Sequence, residues 1–192
     1  MRRCPICKEK YTPIKPLQSC CLSPDCAVEK GRQNKAKKER AEAKVVRHQD
    51  KVRKEAIKTR SDYMKEAQIA FNSFIRARDA ARLCICCNKP LAGSQVGGGF
   101  DCGHYRSVGS APHLRFNDQN AHGQTKQCNR WGAGRAVDYR IGLIKRIGLA
   151  AVQALECDQT MPKWSIDELR AIKQIYKDKL NALKSQQTIS HE

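Results

Sequence analysis

The sequence has few large apolar residues, few acidic residues and no long hydrophobic run. Leu, Ile, Val and Phe make up 36 of the 192 residues, about 19%, and a charged chain with so few of them is close to a disordered composition. We therefore do not expect a single large apolar core. No apolar run approaches the ~18 residues of a membrane helix, and the first residues, Met1 to Pro5, lack a signal-peptide core. These absences argue against a membrane protein and against a secreted one.

Basic residues, in contrast, are abundant. Lys and Arg number 37 against 19 Asp and Glu, which gives a formal net charge of +18. So large an excess is typical of a protein whose partner is a polyanion such as nucleic acid.

Cysteine is also plentiful, with eleven residues. In a reducing cytosol, cysteines are expected to bind metal before they form disulfides. The count is odd, so at least one thiol is left over in any fully paired scheme.

Composition divides the chain into four segments. Residues 1–28 are rich in cysteine and proline and predict a zinc ribbon, and residues 29–60 predict a basic helical arm or linker. Residues 61–135 predict a helix followed by a core of cysteine, glycine and histidine, and residues 136–192 predict a C-terminal helical region. The expected fold class is α+β and mostly helical.

The first segment contains a candidate zinc site. Zinc favours four soft ligands in a tetrahedron, and paired cysteines supply them. Cys20 or Cys21 could complete the second pair; we choose Cys21 because its spacing to Cys26 is nearer the usual one. The predicted ligands are Cys4, Cys7, Cys21 and Cys26. Four thiolates leave no open position, so the site should be structural, and the metal would supply on the order of 10 kcal/mol of folding energy.

A second candidate zinc site lies in the third segment. Cys84 and Cys87 form a knuckle pair, and Cys128 follows about 40 residues later. Thr125 stands where a Cys-x2-Cys pair would place the fourth ligand, and threonine binds zinc poorly. Cys102, Cys86 or His122 could replace it, and we favour Cys102. The sequence thus predicts about two zinc ions per chain.

Residues 29–60 carry 13 Lys or Arg against 5 Asp or Glu. Good helix formers dominate, and the few apolar residues make no continuous stripe. The segment could be a solvated helix or a disordered linker. It could equally be an arm that lies along phosphates and orders only on DNA. Its candidate DNA contacts are Lys35, Lys37, Lys38 and Arg40.

Helical periodicity is clear in the other segments. An amphipathic helix is predicted from Asp62 to Arg82 with Ser61 as its cap. Further helices are predicted over 137–147 and 149–155, separated by Gly148.

The last predicted helix begins with a capping box formed by Ser165 and Glu168 and runs from Ile166 to about Lys184. Its apolar stripe packs either on the chain's own helices or across a dimer. That stripe comprises Leu169, Ile172, Tyr176, Leu180 and Leu183.

Hard-metal chemistry is indicated by Asp101 and His104. A carboxylate oxygen suits Mg²⁺ or Mn²⁺, and a neighbouring histidine can take a proton from water to make the nucleophile for a phosphodiester. Alternatively, His104 is one more zinc ligand. Asn120 could be an ordinary turn or cap residue.

These motifs, in this order, resemble the NinG family of lambdoid phages, also called Rap, over almost the whole chain. The most specific are Asp101-Cys102-Gly103-His104-Tyr105-Arg106, the stretch from Ala111 to Asn117, and Cys128-Asn129. Supporting matches are the cysteine ribbon, the basic arm, Arg60-Ser61, Phe71 to Arg76, Cys84 to Cys87, Tyr139-Arg140 and Arg146 to Gly148.

The resemblance implies a recombination endonuclease that cuts branched DNA, such as Holliday junctions and displacement loops, with a divalent metal. Its central block is similar to the ββα-metal (HNH) nuclease motif. By that resemblance His104 is the general base, Asn120 orients it, and Asp101 and Asn129 bind the catalytic Mg²⁺ or Mn²⁺. Two departures stand out: Gly103 occupies the usual first metal-ligand position, and Thr125 stands where relatives often have cysteine.

Branch recognition should rest on shape and charge, because phosphate contacts carry no sequence information. Cutting a four-way junction twice makes a homodimer a reasonable expectation. The expected location is the host bacterial cytoplasm, associated with the nucleoid. The competing hypotheses are a non-catalytic zinc-finger DNA-binding or recombination-mediator protein and an RNA-binding zinc protein. Candidate DNA contacts outside the arm are Arg106, Arg115, Arg130 and Arg135.

Overall fold

A computed structural model of the chain describes residues 1–91, 99–160 and 164–189. The chain forms two compact units, Met1–Lys58 and Thr59–Glu192. Helices dominate, and the sheets are two-stranded. Within the described residues, no helix is both long and apolar enough to cross a membrane.

The first unit is a small hairpin followed by one long helix. Strands β1 (Arg2–Arg3) and β2 (Lys10–Tyr11) pair antiparallel. Helix α1 (Pro24–Ala56) spans 33 residues and has a proline in its first turn, where a missing N–H costs nothing. Because the helix begins at Pro24, Cys26 lies on its first turn. Along the rest of the helix, every residue from 31 to 56 is exposed. The structure therefore favours the solvated helix over a disordered linker.

In the second unit, helix α2 (Arg60–Asp79) begins earlier than predicted. Its cap is Thr59, whose side chain accepts a hydrogen bond from the Asp62 backbone while the Asp62 carboxylate accepts from the Thr59 backbone. The prediction of Ser61 as the cap is therefore wrong, because the reciprocal bonds of a capping box require an acidic residue three positions after the cap. The helix ends at Asp79, three residues before the predicted end.

The main core lies between α2 and helix α5 (Ile166–Ile189). Ser165 and Glu168 form the predicted capping box at the start of α5. Leu169 and Tyr176 of the predicted stripe are buried against α2, and the other three members are partly buried on the same cluster. The stripe thus packs on the chain's own helices, which is the first of the two predicted alternatives. The α2 residues in this core are Tyr63, Ala67, Ala70, Phe71, Phe74 and Ile75.

Between α2 and α5, the chain of the second unit includes a hairpin and two further helices. Strand β3 (Phe100–His104) pairs antiparallel with β4 (Ala121–Thr125), so that His104 is opposite Ala121. A π-helical turn (Gln127–Trp131) follows, then α3 (Ala136–Ile147) and α4 (Leu149–Cys157). Gly148 separates these two helices at a φ of 84°, a conformation that favours glycine, which confirms the predicted break.

Helix α3 lies very close to the segment that contains the second cysteine pair. A Cβ added to Gly142 would stand 1.9 Å from the carbonyl oxygen of Ile85. Only glycine permits this approach, which buries Ile85, Tyr139 and Leu143 in a second core. The close contact fixes α3 against the cysteine knuckle.

A buried ionic cluster joins α2, β4 and α3. The Asp79 side chain is fully buried and accepts two hydrogen bonds, each 2.9 Å long, from Arg78. It also accepts the backbone N–H of Gly123 at 2.7 Å and lies 3.7 Å from the Arg146 guanidinium. His122 completes the cluster, with its Nδ1 atom 3.1 Å from Arg78.

Candidate functional site

The four predicted ligands of the first site converge in the structure. The Sγ atoms of Cys4, Cys7, Cys21 and Cys26 all lie within 4.8 Å of one another. Cys20 is not a member of this group. The pKa of the Cys4 thiol is lowered to about 6, chiefly by a hydrogen bond from the Cys21 backbone. Four converging thiols suit tetrahedral zinc and leave no open position.

The second site repeats the backbone geometry of the first. In the first knuckle, the Cys4 N–H donates to the backbone carbonyl of Glu9 at 2.8 Å, and the Lys8 N–H donates to the backbone carbonyl of Cys4 at 3.0 Å. In the second, the Cys84 N–H donates to the backbone carbonyl of Lys89 at 2.8 Å, and the Asn88 N–H donates to the backbone carbonyl of Cys84 at 3.1 Å. Lys8 and Asn88 both have positive φ, 64° and 54°. The same turn therefore presents both cysteine pairs.

The Sγ atoms of Cys84, Cys87 and Cys128 lie within 4.8 Å of one another, as predicted. Thr125 stands at the fourth corner: its Oγ1 atom is 3.8 Å from Cys84 Sγ and 3.9 Å from Cys87 Sγ. The hydroxyl also accepts the Cys128 N–H at 3.3 Å. These residues fit a zinc ion held by three thiolates with a hydroxyl beside it.

The structure does not bring Cys102 to this group. Cys102 packs against the α2–α5 core, and burial raises the pKa of its thiol to about 12. The prediction of Cys102 as the fourth zinc ligand is therefore wrong in this fold. The two alternatives, Cys86 and His122, do not belong to this thiol group either. Cys86 accepts a hydrogen bond from Gln124 at 3.0 Å, and His122 belongs to the ionic cluster around Asp79.

His104, at the end of β3, has a defined orientation. Its Nε2 atom lies 3.0 Å from the carbonyl oxygen of Arg115. Since a carbonyl only accepts, Nε2 carries the proton and Nδ1 is the basic nitrogen. The ring stacks on Phe71 at a centroid distance of 5.8 Å. Burial lowers the pKa of His104 and keeps the ring neutral. This is the protonation state that a general base requires.

Asn120 is fully buried, and its side-chain hydrogen bonds go to the backbone of the loop after β3. Its Oδ1 accepts the Arg106 N–H at 2.9 Å, and its Nδ2 donates to the carbonyls of Arg106 and Leu114 at 3.0 and 3.2 Å. These bonds hold the loop between β3 and β4 at both ends. The peptide of Leu114 precedes Arg115, whose carbonyl orients His104, so Asn120 positions the His104 ring through the backbone.

Asp101, Asn129 and Arg130 form one polar group. Asn129 Nδ2 donates to Asp101 at 3.1 Å, and the Arg130 guanidinium donates to both carboxylate oxygens at 2.8 and 3.0 Å. The bonds from Arg130 and Asn129 outweigh desolvation and lower the pKa of Asp101. Because Asn129 donates through its nitrogen, its Oδ1 atom is directed away from the carboxylate.

His104 and Asn129 line the same cleft, which has a volume of about 740 Å³. The cleft opens beside the loop that follows β3. Sequence reasoning missed Glu156, which also lines it; hydrogen bonds from Arg140 and Tyr105 lower the pKa of Glu156 to about 2. Its only signal in the sequence was an acidic residue near the end of a predicted helix. The remaining wall includes Cys102, Arg106, Ser107 and Ser110.

The four arginines predicted to bind DNA all have partners inside the chain. Arg106 donates to the carbonyls of Leu155 and Glu156 at the end of α4. Arg115 donates to Gln68 at 3.1 Å. Arg130 binds Asp101, and Arg135 pairs with an aspartate one turn later in α3. Arg130 and Arg135 are still about half exposed, 58% and 48%, whereas Arg106 serves mainly to terminate α4. The four arm residues Lys35, Lys37, Lys38 and Arg40 are exposed on α1.

Comparison with known proteins identifies the relatives of this chain. Residues 1–186 match the family model described as "Bacteriophage Lambda NinG protein". The chain is 38% identical to "Protein ninG" of Escherichia phage 933W over 194 residues, which cover 96% of this chain and 94% of that protein. It is also 38% identical to "Protein ninG" of Salmonella phage P22 (95% and 94% covered) and of Escherichia phage lambda (96% and 94% covered). No solved structure matches the chain. The chain therefore belongs to the NinG family of phage proteins.

Proposed function

We propose that the chain is a metal-dependent endodeoxyribonuclease that acts in phage recombination and cuts branched DNA such as Holliday junctions and displacement loops. The observation that carries the proposal is His104, a neutral imidazole with a fixed tautomer at the wall of a polar cleft. The hairpin of β3 and β4 followed by a helical turn is the element order of a ββα-metal nuclease.

In this proposal, His104 acts as the general base. Its Nε2–H is bonded to the carbonyl of Arg115, so Nδ1 accepts the proton of the attacking water. The Arg115 carbonyl then stabilises the imidazolium that forms. A positioned base of this kind contributes about 10²- to 10⁴-fold to the rate.

Asn129 lines the cleft together with His104 and hydrogen-bonds Asp101, which is not part of the cleft wall. Asp101 and Asn129 supply a carboxylate and an amide, whose oxygens are the donors that Mg²⁺ and Mn²⁺ prefer; to share an ion, Asn129 would turn its Oδ1 toward the carboxylate. A bound ion of this type would polarise the phosphodiester and stabilise the leaving oxygen. Arg130 pairs with Asp101 and is 58% exposed, so it can bind a phosphate oxygen in place of the carboxylate.

The two cysteine sites are assigned structural roles. Zinc at Cys84, Cys87 and Cys128 would tie the knuckle before β3 to the turn that contains Asn129. Such a link holds the cleft to the sub-ångström tolerance that catalysis needs. The net charge of +18 supports a DNA substrate, and two cuts across a junction are most simply made by a homodimer.

The test is cleavage of a labelled four-way junction with Mg²⁺ or Mn²⁺. Wild type is compared with zinc-loaded His104→Ala, and His48→Ala, which removes an exposed imidazole on α1, is the control. We expect wild type and the control to cut and His104→Ala to bind without cutting. Equal cleavage by all three would place the base elsewhere.

One observation favours a second function. The Asp101 carboxylate is already neutralised by Arg130, as in a purely structural ion pair. In that case the chain would be a non-catalytic zinc-dependent DNA-binding or recombination-mediator protein. Tight junction binding by wild type with no cleavage in either metal would establish this alternative.

A further inference from the structure

The cations of α1 are not spread evenly around the helix. Lys37, Arg40, Lys44, Arg47, Lys51 and Lys54 follow one another at alternating steps of three and four residues. At 100° per residue, these six positions fall within a sector of about 100°. All six side chains are exposed. We call this set the cationic stripe.

The stripe is unfavourable for an isolated helix. Each member has another member three or four residues away, and like charges at that spacing destabilise a helix by about 0.2–0.5 kcal/mol per pair. An acidic residue stands three or four positions from a member only in the C-terminal half, where Asp50 and Glu55 have that spacing. Lys37, Arg40 and Lys44 have no acidic residue at that spacing. An array of repelling charges on a solvated helix is best explained by a polyanion that neutralises it.

Four other cations of α1 differ from Lys37, Arg40 and Lys44. Each of the four has an acidic residue three or four positions away: Arg32 has Glu29, and Lys35 has Glu39. Likewise Lys38 lies 3.9 Å from Glu42, and Arg53 follows Asp50 by three residues. These cations are therefore compensated within the helix, as on an ordinary solvated surface.

The length of the stripe matches the charge spacing of duplex DNA. From Lys37 to Lys54 the helix rises about 25 Å at 1.5 Å per residue. One DNA strand has a phosphate every 3.4 Å along the duplex axis, so a duplex segment of this length carries about seven phosphates per strand. The match is in charge density and length, and it involves no base.

We infer that the cationic stripe of α1 binds the sugar–phosphate backbone of one duplex arm of the DNA substrate. The inference rests on the proposed function for the identity of the polyanion. It also assigns unequal roles to the arm residues: Lys37 and Arg40 contact phosphate, whereas Lys35 and Lys38 do not.

The chain offers a matched control for the test. The stripe variant replaces Arg40, Lys44, Arg47 and Lys51 with Gln, and the control variant replaces Arg32, Lys35, Lys38 and Arg53 with Gln. Both remove two Arg and two Lys from the same helix and introduce the same good helix former. Binding to a DNA duplex, to an RNA duplex and to a four-way DNA junction is measured between 0.05 and 0.3 M salt, at about 0.05 M steps, in a His104→Ala background that prevents cutting.

The stripe variant should lose affinity on the order of 100-fold at 0.1 M salt, and its salt slope should fall by about 2–4, since each phosphate contact adds about 0.9. The control should change the slope by less than about 1. Equal losses in both variants would mean diffuse attraction and overturn the inference, as would an unchanged stripe variant. A loss for duplex RNA alone would also overturn it. Because binding is measured without cleavage, failure of the nuclease proposal leaves this result interpretable.

Discussion

The Nε2 atom of His104 lies 3.0 Å from the carbonyl oxygen of Arg115, eleven residues later in the chain. The carbonyl can only accept, so this contact selects one tautomer and leaves Nδ1 as the base. Asn120 holds Arg115 in place, because its side chain donates a hydrogen bond to the carbonyl of Leu114, the residue that precedes Arg115. The hairpin loop thus sets the protonation chemistry of the cleft.

If the chain cleaves DNA as proposed, the pH dependence of cleavage should reflect this environment. Burial lowers the pKa of His104 below its ordinary value of 6.5, so the neutral base persists to more acidic pH. We expect the cleavage rate to be flat above about pH 6.5 and to fall on the acid side of that value. The measurement is single-turnover cleavage of a junction from pH 5 to 8.5.

A plateau reached only well above pH 7 would contradict the neutral-base assignment. Zinc content must be checked at each pH, because thiolate ligands are protonated as the pH falls.

Loss of the Asp79 charge should be costly. Asp79→Asn keeps the shape of the side chain but leaves Arg78 and Arg146 without their shared counter-ion. Removing one partner of a buried pair typically costs 3–5 kcal/mol, and we expect about 3 kcal/mol in the free energy of unfolding. Urea denaturation at saturating zinc measures it.

The control for Asp79→Asn is Asp167→Asn, which breaks a surface pair with Arg170 that is 90% exposed on the aspartate side. Such pairs contribute at most about 1 kcal/mol. Equal destabilisation by the two substitutions would show that the Asp79 cluster adds nothing beyond a surface contact.

Features set by short-range chemistry were predictable from the sequence. The four thiols of the first site follow from cysteine spacing, because a tetrahedral ion constrains residues close together in the chain. The break at Gly148 and the capping box of Ser165 and Glu168 depend only on their immediate neighbours.

Features set by long-range packing were not predictable. Nothing near Arg106 in the sequence shows that it terminates α4, fifty residues away. Cys102 is the favoured one of three candidates for the fourth zinc ligand in the sequence, but pairing of β3 with β4 directs it toward the α2–α5 core. The same holds for Asp79 and His122, which are 43 residues apart and meet only in the folded chain.

His122 should make the fold sensitive to acid. Burial, and then the charges of Arg78 and Arg146, lower the pKa of His122 to about 4. The unfolded chain, with an ordinary pKa near 6.5, binds more protons between pH 4 and 6.5, so stability is lost as the pH falls through that window. Unfolding free energies at pH 7 and 5 should show a smaller loss in His122→Gln than in wild type. An identical loss would assign the acid sensitivity to other groups, such as the zinc thiolates.

The Thr125 hydroxyl should control the second zinc site. Its Oγ1 lies 3.8 and 3.9 Å from two of the three thiol sulfurs, close enough to complete a tetrahedron around a shared ion. Thr125→Cys adds a fourth thiolate and should tighten zinc binding at this site by about 10-fold or more, whereas Thr125→Val should weaken it by a similar factor. Chelator competition with a zinc indicator, compared between wild type and each variant, measures the change, because the first site is the same in all of them.

Thr125→Ser is the matched control, because it keeps the hydroxyl and removes only a methyl group, and its zinc affinity should stay near that of wild type. Cobalt substitution adds a second measurement: the sulfur-to-cobalt absorption should rise in Thr125→Cys, from seven thiolates to eight, and stay constant in Thr125→Ser. If Thr125→Val held zinc as tightly as wild type, the hydroxyl would have no role at the metal. The three thiolates would then share the ion with water, and the open position would make this site a Lewis acid rather than a structural link.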